Sequence, residues 1–271
     1  MDKFKRNADE LKNKKLWLFD MDGTIYEEDR VFEGTIDLLK EIKKNDGKYV
    51  FITNNSSKSV EDYVKKVNNL GIPADADNFF TSTQAAILLL QEKYRNAKVY
   101  CQGTKSMIKE LKNSSINVTE KMEKVDVVLV GFDTELTSNK LRNTCEILTK
   151  QNIPFYATNP DLVCPVSFGF IPDCGSICKM IENATHKVPE YIGKPNKTMV
   201  EIVRKKYNLE LDDIVVVGDR LYTDIATGIN ANVTSICVLT GEAKLDDILS
   251  GDVKPTYTFD SLKEIYDSLK L

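Results

Sequence analysis

Histidine is almost absent from this sequence, in which His186 is the single histidine among 271 residues. Ser-His-Asp and Cys-His mechanisms both require an imidazole beside the nucleophile. No G-x-S-x-G sequence accompanies His186 to supply the serine of such a site. We therefore set aside histidine-assisted nucleophilic chemistry.

Long apolar runs and an excess of positive charge are also missing. No run approaches the roughly 18 apolar residues of a membrane span, so we expect no membrane partner. The 37 basic and 41 acidic residues give a net charge of -4, which argues against nucleic-acid binding. The N-terminal sequence MDKFKRNADELKNKK lacks the apolar core of a signal peptide, so we expect a cytoplasmic protein.

The six cysteines are scattered through apolar or helical sequence. A chain of this length does not depend on disulfide bonds for its stability, so we expect reduced, mostly buried thiols. Cys174 and Cys178 are separated by three residues. Only Cys164 and His186 lie near enough in the sequence to complete a tetrahedral metal site. The spacing therefore favours two cysteines on a packed helix face.

Strand and helix patterns alternate along the chain, which predicts an α/β fold. The predicted strands are 16–19, 48–52, 97–101, 125–130, 154–157, 191–193, 214–218, 235–239 and 257–259. The predicted helices are 32–44, 60–70, 84–94, 104–112, 138–151, 175–184, 197–207 and 222–231. We predict a Rossmann-like, doubly wound parallel sheet core from residues 1–82 and 187–271, including the strand at 191–193. Residues 83–186 are predicted to form a smaller inserted α/β domain.

Two carboxylates follow the first predicted strand directly. Leu16 to Phe19 are four consecutive large apolar residues, and Asp20 and Asp22 come after them in the sequence DMDGT. Alternation along a strand places these two carboxylates on one face, where one hard cation would neutralise both. The pair predicts a magnesium site.

Polar residues also follow the other predicted core strands. They are Thr53, Asn54 and Asn55 after the second strand, Lys194 after the third, and Asp219 with Asp224 after the fourth. Ligands of open α/β sheets bind at the carboxyl ends of the strands. Carboxylates for a cation, a lysine and neutral donors are the groups that phosphoryl transfer requires. The presence of these groups after four predicted strands therefore predicts phosphoryl transfer.

At these positions the sequence resembles the haloacid dehalogenase (HAD) superfamily of phosphatases. The matching motifs are DMDGT at 20–24, Thr53, Lys194 and GDRLYTD at 218–224. The longer strings TNNSS, IGKPN and GDRLYTDI resemble the NagD-type and 4-nitrophenylphosphatase-like branch. In that branch a cap domain is inserted between the second and third motifs, where the insertion is predicted here.

The resemblance implies a role for each motif residue. Asp20 would be the nucleophile that forms an aspartyl phosphate, and Asp22 the general acid and base. Mg²⁺ would bind the Asp20 side chain, the Asp22 carbonyl and the Asp219 side chain, with Asp224 holding a coordinated water or Lys194. The remaining substrate-binding residues would be Thr53, Asn54, Asn55 and Lys194.

Structural alternatives exist for several of these residues. A turn with aspartate and glycine commonly follows a strand for structural reasons alone, which is the alternative for Asp20 and Asp22. Asn54 and Asn55 could cap the helix that begins near Ser59. Lys194 could be a solvated loop lysine, and Asp224 could be favoured in its helix by the helix dipole.

The resemblance implies a small phosphate monoester as substrate, such as a sugar phosphate, phosphoglycolate, pyridoxal phosphate, a nucleoside monophosphate or an aryl phosphate. Asn159, Asp161 and the segment Phe168 to Ser176 are candidates for selecting it. A homodimer is a further partner that the resemblance suggests. Two other functions stay open, a phosphotransferase or mutase using the same aspartyl phosphate, and a non-catalytic module that binds a phosphorylated ligand.

Overall fold

The computed structural model of the protein describes residues 1–166 and 168–270. The strands in chain order are β1 (Leu16–Phe19), β2 (Tyr26–Glu27), β3 (Arg30–Val31), β4 (Lys48–Thr53), β5 (Phe79–Thr81), β6 (Lys98–Gln102), β7 (Asn117–Thr119), β8 (Val127–Val130), β9 (Phe155–Ala157), β10 (Val163–Val166), β11 (Gly169–Pro172), β12 (Glu190–Tyr191), β13 (Ile214–Gly218), β14 (Thr234–Val238) and β15 (Tyr257–Phe259). The α-helices are α1 (Thr35–Lys44), α2 (Val60–Asn69), α3 (Ser82–Lys93), α4 (Lys105–Asn113), α5 (Ser138–Lys150), α6 (Cys174–Thr185), α7 (Thr198–Tyr207), α8 (Ala226–Asn230), α9 (Leu245–Ser250) and α10 (Leu262–Lys270).

The described chain divides into two compact units. The core unit contains Met1–Thr53, Val64–Phe80 and the chain from Lys194 onward. The insert unit contains Asn54–Tyr63 and Thr81–Gly193. The predicted domain boundaries at 82/83 and 186/187 remain a prediction.

The core unit is built on a parallel sheet with the strand order β15-β14-β13-β1-β4-β5. Every residue of β1 and β13 is buried, as expected for strands covered on both faces. The apolar run Leu16–Phe19 therefore forms the strand predicted for it. The helix α1 packs against α10 and buries Leu38, Leu39 and Ile42.

The strand order of the core sheet reverses at β1. From β1 the chain proceeds to β4 and β5 on one side, and it later returns to β13, β14 and β15 on the other. Phe19 is in register with Val217 of β13 and with Phe51 of β4. The carboxyl ends of three adjacent strands thus meet where open α/β sheets bind ligands.

The insert unit has its own parallel sheet, with the order β12-β9-β8-β6-β7. Helix α5 packs against α6, and their apolar side chains cover one cluster with β8 and β9. Val128, Val130, Ile147 and Ile177 are buried in that cluster. An α/β fold is thus found in both units, as the alternating sequence pattern predicts.

The predicted strand at 191–193 is shorter and belongs to the other sheet. Strand β12 is Glu190–Tyr191, and it pairs in parallel with β9 in the insert unit. Its sequence-based assignment to the core sheet is therefore wrong. The apolar pair Tyr191-Ile192 favours a strand nearby, but the pairing of that strand depends on tertiary neighbours that the local sequence does not encode.

An exposed antiparallel hairpin, β10 with β11, precedes α6 in the insert unit. It carries Phe168 and Phe170, which are 81% and 59% exposed. Within the described residues, no helix has both the length and the apolar character needed to cross a bilayer.

Candidate active site

The first catalytic candidate, Asp20, lies at the reversal of the core sheet. Its backbone N–H donates to the carbonyl of Val217, so the residue directly after β1 is still held against β13. Thr53 ends β4 on the other side of β1 and is buried. Parallel pairing therefore brings residues distant in sequence to one edge of the sheet.

Lys194 forms two buried ion pairs at this edge. Its Nζ lies 2.5 Å from Asp20 Oδ1 and 2.6 Å from Asp224 Oδ1. It also donates to the carbonyl of Ile52 at 3.1 Å. The Lys194 side chain is 2% exposed, which excludes the alternative of a solvated loop lysine. Burial alone would lower the pKa of Lys194, but the charges of Asp20 and Asp224 raise it overall.

Asp224 is held by both of its carboxylate oxygens. Oδ1 accepts from Lys194, and Oδ2 accepts from the backbone N–H of Arg220 at 3.0 Å. It lies in a π-helical turn, Leu221–Ile225, that leads into α8. Asp224 lies in the first turn, as the helix-dipole alternative expects. Its carboxylate also accepts hydrogen bonds from Lys194 and from the N–H of Arg220, which the dipole alone does not explain.

Asp219 follows β13 and is enclosed by hydrogen-bond donors. Thr24 Oγ1 donates to Oδ1 at 3.0 Å, and the backbone N–H of Glu242 donates to Oδ2 at 2.8 Å. Gly23 has φ +90°, and a Cβ atom there would lie 2.6 Å from Asp219 Oδ2. The glycine of the DMDGT motif is thus required both by backbone conformation and by the approach of this carboxylate.

Three carboxylates form a candidate metal centre. Ligand oxygens of Asp20, Asp219 and Asp224 all lie within 4.8 Å of one another. Burial and the charge of Asp224 raise the pKa of Asp20 well above its usual range. Burial and the same neighbour raise the pKa of Asp219 to about 6. Carboxylates crowded in this way fit a hard divalent cation, which would favour their ionised forms.

Asp22 lies apart from that cluster and is more accessible. Its side chain is 37% exposed, and Oδ1 lies 3.7 Å from Lys66 Nζ. The same ammonium group lies 3.9 Å from the centre of the Tyr26 ring. The Asp22 side chain is therefore accessible to solvent and lies near a cationic group, Lys66.

Asn54 and Asn55 have different environments. Asn54 is buried, and its Nδ2 donates to Asp161 Oδ2 at 2.7 Å. Asn55 Oδ1 accepts from the N–H of Ser57 at 3.0 Å, which closes a local turn.

The residue that caps α2 is Ser59. The N–H of Ser59 donates to Asp62 Oδ2 at 3.0 Å, and Ser59 Oγ accepts from the N–H of Asp62 at 3.3 Å. These reciprocal bonds form a capping box. The alternative that Asn54 and Asn55 cap this helix is therefore wrong.

The structure adds residues that the sequence analysis did not single out. Lys66 and Tyr26 contact Asp22, and Thr24 and Glu242 hold Asp219. Thr24 lies within the DMDGT string, which was a usable signal. Lys66 lies on an amphipathic helix 44 positions from Asp22, so nothing in its local sequence marks it.

Two insert residues proposed from the sequence to select the substrate are not surface groups. Asn159 is 0% exposed and Asp161 is 2% exposed. Asn159 Nδ2 donates to Asp161 Oδ2 at 2.8 Å. Both side chains therefore have buried partners within the insert unit.

Comparison with known proteins agrees with this geometry. Residues 17–117 match the haloacid dehalogenase-like hydrolase family, and residues 191–265 match a family described as HAD-hydrolase-like. An acid sugar phosphatase from Staphylococcus saprophyticus is 33% identical over 260 residues, which cover 96% of this chain and 100% of the relative. The 5'-nucleotidase YutF from Bacillus subtilis is 30% identical over 254 residues, covering 94% and 98%.

A solved structure is equally similar. The 4-nitrophenylphosphatase from Thermotoga maritima has a TM-score of 0.91 at 34% identity, covering 96% of this chain and 99% of that one. The resemblance noted from the four motifs is thereby confirmed. The chain belongs to the haloacid dehalogenase-like hydrolases, in their NagD-like, 4-nitrophenylphosphatase-like branch of phosphatases.

Proposed function

We propose that this phosphatase hydrolyses small phosphate monoesters with Mg²⁺, through an aspartyl phosphate on Asp20. The observation that carries the proposal is the buried cluster in which Lys194 contacts Asp20 while Asp219 and Asp224 lie within 4.8 Å. Such a cluster combines a nucleophile, a fixed positive charge and a cation site, which are the elements of phosphoryl transfer.

In the first step, a carboxylate oxygen of Asp20 attacks phosphorus and the bond from phosphorus to the ester oxygen breaks. Asp22 gives its proton to the departing alkoxide. In the second step, water attacks the same phosphorus while Asp22 takes a proton from it. The Asp20 carboxylate leaves, inorganic phosphate is released, and Asp22 is again protonated.

Fixed charges and dipoles stabilise the transferring group. Lys194 offsets the charge of Asp20 and of the phosphoryl oxygens, and we assign to Asp224 the task of holding Lys194 in place. Thr53 and Asn54 donate to the phosphoryl oxygens. Asn55 completes this binding segment, with its Oδ1 holding the local turn.

Mg²⁺ is the proposed metal because the available ligands are hard oxygens of buried carboxylates. Asp20 and Asp219 would hold it by their side chains and Asp22 by its carbonyl, with Asp224 in support. When bound, the cation supplies positive charge that neutralises the carboxylates and the phosphate oxygens.

The substrate class follows from the same site and from the relatives. A sugar phosphate, a nucleoside monophosphate and an aryl phosphate correspond to the names of the three relatives described above. Phosphoglycolate and pyridoxal phosphate share the same phosphate monoester chemistry. We further propose that residues 83–186 form the cap domain of the NagD-like branch.

The test is phosphate release by purified protein from that panel of esters, with Mg²⁺ and after chelation. We expect Mg²⁺-dependent turnover that Asp20→Asn abolishes, because an amide does not act as the nucleophile. Asp37→Asn is the matched control, since Asp37 is an exposed aspartate of α1.

Two outcomes would contradict the proposal. Undiminished turnover by Asp20→Asn would exclude the nucleophile assignment. Transfer of the phosphoryl group to a second sugar without release of phosphate would instead identify a phosphotransferase or mutase.

A further inference from the structure

A chain of buried polar side chains in the insert unit leads to Asn54. Its members, which we call the Asn54 network, are each at most 6% exposed and are Asn54, Ser56, Thr158, Asn159, Asp161 and Asp173. Three of them, Thr158, Asn159 and Asp161, follow the end of β9. Burying this many polar groups is costly unless they bond to one another.

Asp161 is the hub of the Asn54 network. Its Oδ2 accepts from Asn54 Nδ2 at 2.7 Å and from Asn159 Nδ2 at 2.8 Å. An ionised carboxylate only accepts hydrogen bonds, so both asparagines must present their NH₂ groups to it. Asp161 therefore determines which way the Asn54 amide faces.

The hub is itself held on a regular element. Asn159 Nδ2 also donates to Asp173 Oδ1 at 3.0 Å, and Asp173 is the N-cap residue of α6. The N–H of Gly175, in the first turn of α6, donates to the carbonyl of Asp161 at 2.8 Å. Asp161 is thus fixed through its side chain and its backbone.

The backbone beside Asn54 is held as well. Ser82 Oγ donates to the Asn54 carbonyl at 2.6 Å. Ser56 Oγ accepts from the N–H of Phe132 at 2.8 Å and lies 2.9 Å from Thr158 Oγ1. The segment after Thr53 is therefore held by buried hydrogen bonds at Asn54 and at Ser56.

Gly193, the last residue of the insert unit, contacts the same network. The N–H of Gly193 donates to the carbonyl of Thr158 at 2.8 Å. A Cβ atom at Gly193 would overlap Asn54 Oδ1. Asn54 follows Thr53 in the sequence, and Gly193 precedes Lys194, so both residues adjoin a proposed phosphate-site residue.

We propose that Asp161 is a positioning residue for phosphoryl transfer, acting through the Asn54 amide. The inference rests on the proposed function, because it assigns Asp161 to the donor set of that reaction. Asp161 touches neither substrate nor metal in this role. The Asn54 NH₂ group has two N–H bonds, and Asp161 accepts one of them. That bond fixes the direction of the second N–H, which is the proposed donor to the transferring group, and small errors of direction are costly in catalysis.

The test compares Asp161→Ala with Asp161→Asn by steady-state kinetics on the best ester of the panel. Alanine removes the acceptor, so we expect kcat to fall roughly 10- to 100-fold with KM changed less than about 3-fold. Asparagine keeps one acceptor oxygen, so we expect it to restore kcat to within about 3-fold of the wild type. Both variants remove the charge, so the pair separates acceptor from charge.

A double-mutant cycle with Asn54→Ala provides the second readout. If Asp161 acts through Asn54, Asp161→Ala will lower kcat no further once Asn54 is alanine. A structural role would leave the two losses in kcat multiplicative. Multiplicative losses, equal damage by both Asp161 variants, or a normal kcat in Asp161→Ala would each overturn the inference.

The control is Asp133→Ala, which removes another buried carboxylate of the insert unit. Asp133 pairs with Lys140 at 2.9 Å and has no hydrogen bond to the Asn54 network among the described contacts. We expect it to lower the unfolding midpoint without lowering kcat. Absence of turnover in the wild type would refute the proposed function, whereas wild-type turnover with an unaffected Asp161→Ala refutes only this inference.

Discussion

Replacement of Lys194 by methionine probes the charge balance of the active site. Lys194 is 2% exposed and lies 2.5 Å and 2.6 Å from two buried carboxylates. Removing one partner of a buried ion pair costs about 3–5 kcal/mol, because the remaining charge is left uncompensated. Methionine has a similar length and volume to lysine, so the loss of stability comes mainly from the missing charge and less from altered packing.

The expected shift is large enough for thermal unfolding to measure. For a chain of this size, 1 kcal/mol corresponds to roughly 2–4 °C, so Lys194→Met is expected to lower the first unfolding midpoint by roughly 6–20 °C. Added Mg²⁺ is expected to raise the midpoint more in the variant than in the wild type, because it compensates the carboxylate charges that Lys194 no longer balances. We also expect kcat to fall by roughly 100-fold or more.

Lys197→Met is the matched control. Lys197 is 57% exposed and pairs with Glu201 at 3.2 Å across one helical turn, an arrangement that contributes about 0.3–0.5 kcal/mol. We expect a shift of no more than about 2 °C. Equal shifts for the two variants, or an Mg²⁺ effect no larger in Lys194→Met than in the wild type, would refute the reasoning.

Three further substitutions test separate contacts. Burial raises the pKa of Glu110 to about 7, so its contribution to stability is full below its usual pKa of 4.5 and is lost as the pH rises to about 7. In Glu110→Gln the unfolding midpoint should therefore fall less steeply with rising pH over that range, and at pH 8 the variant should be about 1–3 kcal/mol more stable than the wild type. An unchanged dependence of the midpoint on pH would contradict this. Thr24→Val removes a hydrogen bond to Asp219, so the Mg²⁺ concentration for half-maximal activity should rise several-fold; the idea fails if the titration is unaltered. Gly23→Ala adds a clash with Asp219 to the backbone strain at φ +90°, so we expect a loss of activity and of at least about 2 kcal/mol of stability. The control Gly71→Ala has φ +81° but open space around it, and should lose only about 1 kcal/mol. Equal losses of stability in the two variants would exclude the clash.

The sequence predicts the elements whose patterns are strong. Leu16–Phe19 forms β1 as predicted because four buried apolar residues satisfy a central parallel strand. The hairpin β10–β11 was not predicted, since its Phe168 and Phe170 are exposed and lack the usual burial pattern. The final helix α10 was also missed, although it packs against α1.

In the candidate active site, residues that belong to motifs could be predicted from the sequence, whereas contacts between residues distant in the sequence could not. Motifs predicted Asp20, Lys194 and Asp219 as site residues, and the structure places the Asp20 side chain close to those of Lys194 and Asp219, while their catalytic roles stay a prediction. The contact of Lys66 with Asp22 was not predictable, because it depends on where α2 lies beside the chain after β1. The bond between Asp161 and Asn54 likewise joins positions 107 residues apart, and no local pattern specifies that distance.

The most direct test of the central claim is to find the phosphoryl group on the protein during turnover. Wild-type enzyme would be mixed with substrate and Mg²⁺, quenched in acid within milliseconds, digested, and analysed by mass spectrometry. Our account predicts an acid-stable, alkali-labile phosphoryl group on Asp20, and its loss in Asp20→Asn. Phosphorylation of a different residue, or retention of the modification and the activity in Asp20→Asn, would contradict it.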